Sequence, residues 1–75
     1  MKACILMRVN PGKHNEVTAQ VRKLEGVKSA FPTLGRQDVV GDLEYESIRD
    51  LSLLISRIQA IDHVRGTETL IAMEG

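Results

Sequence analysis

From Lys2 to Asn10 the chain is dense in Ile, Val, Met and Cys, and Pro11-Gly12 closes the run. An apolar run ended by such a pair predicts a strand followed by a turn. Between Lys13 and Leu24 the spacing changes. Val17, Val21 and Leu24 stand four and three apart, with Lys13, Glu16, Gln20 and Lys23 at the other positions. That period predicts a short amphipathic helix, with Gly26 expected to stop it as a left-handed C′ residue. Val27 to Leu34 reads as a second strand. Pro32 lacks a backbone N–H, so this strand belongs at a sheet edge. Leu34-Gly35-Arg36-Gln37-Asp38 carries the next turn, and Val39 to Glu44 a third strand in which Gly41 marks a bulge or a close backbone approach.

The second helix has the clearest period. Ile48, Leu51, Leu54, Ile55, Ile58 and Ile61 recur at three and four residues, with Ser52, Ser56, Arg57 and Gln59 between them. Ser47 precedes the first of these and Asp50 follows three residues later, which makes Ser47 the expected N-cap. Val64 to Met73 completes the chain as a fourth strand. The order βαββαβ predicts an α+β, ferredoxin-like domain spanning residues 1–75, a four-stranded antiparallel sheet with both helices on one face.

Alternation along the strands adds a further expectation. Ala3, Ile5, Met7 and Val9 share one face of the first strand, yet Cys4 and Leu6 on the other face are apolar too. In the last strand Leu70 and Ala72 oppose Ile71 and Met73. Two helices cover one sheet face, and a face left to water should be polar. Cys4, Leu6, Ile71 and Met73 are thus expected to need a cover that one copy cannot supply. A second copy packed sheet to sheet is the simplest one.

Composition agrees. A chain of 75 residues and 8.3 kDa buries only about 60–65% of its unfolded surface, and small domains compensate with disulfides, metals or self-association. One cysteine and two histidines supply neither an internal disulfide nor a Cys/His zinc set. Ten basic and ten acidic residues give zero formal net charge, which argues against direct nucleic-acid binding and against a basic membrane-surface helix. Phe31 and Tyr45 are the only aromatics, too few for a stacking platform. No segment is long enough to span a bilayer, and Arg8 and Asn10 break the apolar start before a signal-peptide core can form. A single free cysteine suits a reducing compartment, so a cytoplasmic location is expected.

Candidate chemistry is sparse. Arg36, Gln37 and Asp38 follow Gly35; an aspartate there can accept from an ammonium and an arginine can grip a carboxylate, or the cluster is a solvated turn. Thr67 and Thr69 share one face of the last strand and offer compact hydroxyls, or they are ordinary strand residues. His14 and His63 read as surface positions, and Cys4 as a small hydrophobe. No nucleophile–base pair and no metal set emerges, so no cofactor is expected and enzymatic activity has little support.

Three strings then acquire meaning together: Leu24-Glu25-Gly26-Val27, Thr33-Leu34-Gly35-Arg36-Gln37-Asp38, and Asp62-His63-Val64-Arg65-Gly66-Thr67-Glu68-Thr69. Their order resembles the effector (RAM) domain of the Lrp/AsnC transcription regulators, with its Gly-x-x-Asp turn and a valine followed by a Thr-x-Thr pair. Gln37 stands where that family usually has an aromatic, and His63 where it usually has glycine. With no room in 75 residues for a helix-turn-helix, a stand-alone domain is expected.

The resemblance implies a non-enzymatic module. Its dimers, of the dimeric α/β-barrel type, would form sheet to sheet and assemble into a ring, with a free amino acid seated between dimers and a full-length regulator as a further partner. It points to Gly35, Asp38, Thr67 and Thr69 as ligand residues, with Arg36 and Gln37 between matched positions. Asp38 would take the ammonium; backbone N–H groups near Gly35 and the threonine hydroxyls would take the carboxylate. The rival expectations are a cofactor-free dimeric α/β-barrel enzyme of monooxygenase or isomerase type, and an assembly-only protein.

Overall fold

Lys2–Val9 forms β1, His14–Arg22 α1, Val27–Pro32 β2, Val39–Glu44 β3, Ile48–Gln59 α2 and Val64–Ile71 β4 in the computed structural model, which describes residues 1–73. The strands lie in the order β2-β3-β1-β4, every pair antiparallel. This is the βαββαβ ferredoxin-like arrangement, and β2 with its Pro32 is an edge strand.

The buried face of the sheet is built from Ala3, Ile5, Met7 and Val9 of β1, with Ala30, Val39 and Leu43. Val17 and Val21 of α1 and Leu51, Leu54 and Ile58 of α2 close over it. Both sets follow the helical period read from the sequence. Ser47 caps α2, its Oγ accepting the Asp50 N–H at 3.1 Å. Gly41 is a close approach, not a bulge: a Cβ there would meet Ile5 Cγ2 at 3.2 Å. The irregularity of that strand pair lies on β2, between Val27 and Ser29.

Several boundaries move. α1 ends at Arg22 with Lys23 as a right-handed cap, so Gly26 is not its C′ residue. Gly26 instead turns the chain into β2 at φ +98°, where a Cβ would also press on Leu54 Cδ2 at 3.0 Å and the Glu44 carbonyl at 3.3 Å. β2 stops at Pro32, short of Leu34, and β4 stops at Ile71, short of Met73.

The uncovered face also needs correcting. Residues directly opposed in antiparallel strands share a face. Leu70 opposes Cys4, whereas Ile71 opposes Ala3. Ile71 therefore lies on the helix side, and Met73 follows the strand fully exposed. The apolar band of the open face consists of Cys4, Leu6, Val40, Phe31 and Leu70. Phe31 is 45% and Leu70 52% exposed.

Candidate functional site

The β2–β3 loop is closed at its base by backbone pairing. Thr33 N–H donates to the Asp38 carbonyl at 2.9 Å, and Asp38 N–H donates to the Met7 carbonyl at 2.9 Å. Thr33 Oγ1 donates to the Gln37 carbonyl at 2.7 Å. Above this base Gly35 adopts φ +130° with open space around it. Leu34, Gly35 and Arg36 project into solvent.

Asp38 faces inward. Its Oδ2 accepts the Val9 N–H at 2.9 Å and its Oδ1 lies 3.2 Å from His14 Nε2. The Val9 N–H holds the Asp38 carboxyl below the usual carboxylate range, helped by the hydrogen bond and charge of His14 and the charge of Arg65 and opposed by partial desolvation. Both carboxylate oxygens thus have partners inside the fold, and Asp38 joins the loop to β1 and to the start of α1.

Arg36 and Gln37 line a depression of about 410 Å³ with Arg8, Gly66, Thr67 and Glu68. Arg8 opposes Gly66 across the β1–β4 pair. Its guanidinium occupies the space that a Cβ at position 66 would need, with Nη2 only 2.9 Å away. Thr67 and Thr69 oppose Met7 and Ile5, on the helix side of the sheet. Gln59 Nε2 of α2 donates to Thr67 Oγ1 at 3.0 Å.

The structure therefore brings Arg36, Gln37 and Thr67 together, with Gly35 beside them. Asp38 sits behind the loop, and Thr69 does not line the depression. Arg8, Gly66 and Glu68 were not singled out from the sequence as site residues. Only the β1–β4 register places them here. Both histidines make contacts near α1: His14, its first residue, meets Asp38, while His63 Nδ1 accepts from Asn10 Nδ2 at 3.1 Å and its Nε2 lies 3.8 Å from Glu16. His63 adopts φ +76°, a conformation that glycine takes more easily.

Elsewhere, a broader cleft of about 810 Å³ between α2 and the start of β2 carries mixed charge, including Glu25, Lys28, Glu44, Asp50 and Arg57. Burial, and then the Asp42 charge, push the Cys4 thiol up, which disfavours the thiolate. Among the described residues no three His, Cys, Asp or Glu side chains are placed to hold a metal ion. None of the described helices is long and apolar enough to cross a membrane.

Residues 2–75 match the family model described as the Lrp/AsnC ligand binding domain. The chain belongs to the Lrp/AsnC family. It is 31% identical over 74 residues to the HTH-type transcriptional regulator FL11 of Pyrococcus abyssi, covering 99% of this chain and 49% of that protein. It thus spans about half the length of the curated relatives it matches.

Among solved structures, hypothetical protein PHS023 from Pyrococcus horikoshii superposes with a TM-score of 0.89 at 29% identity, covering 99% of this chain and 90% of that one. AsnC of E. coli superposes at 0.88 and 28% identity, covering 99% of this chain and 51% of that one. The match to the Lrp/AsnC ligand binding domain thus runs over nearly the whole of this chain, and the family favours an effector-binding module related to transcription regulation over the enzymatic alternative.

Proposed function

We propose that this Lrp/AsnC domain is a non-enzymatic, cytoplasmic module that binds a free amino acid and changes its assembly state on doing so. The observation that carries it is the polar depression beside the Gly35–Asp38 loop, next to a sheet face whose apolar band has no cover in one copy. A second copy covers that face sheet to sheet, and dimers assemble further into a ring. A longer Lrp/AsnC-type regulator, such as the relatives named above, is the partner through which ligand occupancy reaches gene control.

Within the site, Gly35, Arg36 and Gln37 face the ligand, and Thr67, its hydroxyl held by Gln59, forms part of the wall from β4. Asp38 positions the loop through Val9 and His14. The mechanism is linkage: a ligand held better by one assembly state shifts the population toward it.

The test is a thermal-shift screen with the common L-amino acids, paired with sedimentation velocity. An amino acid that binds only the folded assembly raises its melting temperature with concentration and alters the distribution of oligomers. A flat response to every amino acid overturns the proposal and favours an assembly-only role.

A further inference from the structure

The β2–β3 loop and the broad cleft stand at opposite ends of one hairpin. β3 runs from Val39, beside the loop, to Glu44, which lines the cleft. At about 3.3 Å per residue these ends lie about 17 Å apart, so the loop of one copy does not reach its own cleft. Leu34 is fully exposed at the loop tip. A lone exposed leucine carries no message by itself, but this one stands on a fixed base. Thr33 pairs with Asp38, and Asp38 ties the loop to Met7, Val9 and His14. An apolar group already held in place loses little further freedom on docking.

The cleft complements that tip in shape and charge. Half-exposed Leu53 of α2 gives it an apolar wall. Apart from Glu44, which opposes Lys2 in the sheet, its charged side chains are Glu25, Glu46 and Asp50 against Lys28 and Arg57. None of these five makes an ion pair among the described residues. The balance leaves one carboxylate in excess. The loop tip carries one cation, Arg36, two residues after Leu34.

We infer that the loop tip of one copy docks in the cleft between α2 and β2 of another, Leu34 against Leu53 and Arg36 among Glu25, Glu46 and Asp50. The inference rests on the reading above that sheet-to-sheet pairs assemble further, and it names the surfaces that join them. Complementary charge selects the partner and fixes which end meets which. A contact between unlike surfaces repeats from copy to copy, and it leaves the open sheet face free for pairing. Arg36 also lines the depression. A ligand there and the docked cleft share one guanidinium, which couples occupancy to assembly.

The experiment is sedimentation velocity of the wild type and of Leu34→Asp, Leu53→Asp and Arg36→Glu over a rising concentration series. The wild type is expected to pass from two-copy to larger species. Each variant is expected to keep the two-copy species and to need at least about tenfold more protein for the larger ones, the effect of losing one anchor of a contact. The double variant Arg36→Glu/Glu46→Arg is expected to recover part of what Arg36→Glu loses. In a Cys4→Ala background, a Leu34→Cys chain mixed with a Leu53→Cys chain is expected to form a disulfide between copies on mild oxidation, at a yield that neither chain gives alone. Circular dichroism confirms that each variant keeps the wild-type fold.

Larger species that form at wild-type concentrations in both Leu34→Asp and Leu53→Asp overturn the inference. So does a mixture of the two cysteine chains that gives no disulfide, or a double variant that assembles no better than Arg36→Glu. A wild type that stops at two copies overturns it together with the further assembly proposed above. Amino-acid binding is read separately, by the thermal-shift screen, and stands or falls there.

Discussion

The Asp38 carboxylate and the Val9 backbone meet at 2.9 Å, Oδ2 accepting the N–H of the last residue of β1. With Asp38 N–H on the Met7 carbonyl, the loop that carries Gly35 to Gln37 becomes an extension of the sheet. The Val9 N–H favours the charged carboxylate, so the folded state holds Asp38 below its ordinary titration range.

Stability from this contact is therefore present above the unfolded carboxylate pKa of about 4 and fades as acid protonates the folded group. Asp38→Asn keeps an acceptor oxygen but loses the charge. It is expected to melt below wild type near neutral pH, with the gap narrowing as pH falls below about 4. Thermal melts across that range check this; a gap that widens in acid contradicts it.

Ile58 and Leu53 lie on the same helix with opposite burial, Ile58 fully enclosed and Leu53 52% exposed. Ile58→Ala removes a packed side chain between α2 and the sheet and is expected to cost about 2–5 kcal/mol. Leu53→Ala is expected to change stability by no more than about 0.5 kcal/mol. Urea denaturation of both variants measures the contrast.

The Ser47 Oγ satisfies the Asp50 N–H at the start of α2. Ser47→Ala leaves that donor to water and is expected to cost about 1 kcal/mol, whereas Ser47→Asp should retain the cap. Chemical denaturation of the pair separates capping from any general effect of changing this exposed position.

Leu6 opposes Val40 on one side and Glu68 on the other, in the middle strands of the open face. If a second copy covers that face, Leu6→Asp places a charge where water is excluded and breaks the dimer. Sedimentation velocity at micromolar concentration should show a wild-type dimer and a dissociated variant. A well-folded wild-type monomer would contradict the sheet-to-sheet arrangement. Because Leu6 is outside the helix-side core, the variant is expected to retain its circular dichroism spectrum.

Much of the fold was legible because each element has its own period. The three-and-four spacing from Leu51 through Ile58 and the two-residue alternation from Ala3 to Val9 appear in the chain before any contact is known. Pro32 gave the edge position of β2 for a local reason, its missing donor. The candidate site was less legible. Arg36 and Gln37 are neighbours of a marked glycine, but Arg8 looked only like an interruption of the first apolar run. His14 and Asp38 are 24 residues apart, and no spacing rule joins them.

The sequence by itself determined the element order, the buried face of each helix and of β1, and the turn that carries the candidate loop, because local periodicity and turn chemistry act within a few residues. Only the tertiary structure decided which residues of distant strands stand opposite one another. The β1–β4 register, with its irregularity between Arg8 and Val9, sets Leu70 beside Cys4 and sends Ile71 to the helix side. It also lays Arg8 over Gly66. Side chains alternate with every residue, so a shift of one position in that pairing would exchange the faces; the register is fixed by packing and hydrogen bonding across the whole sheet.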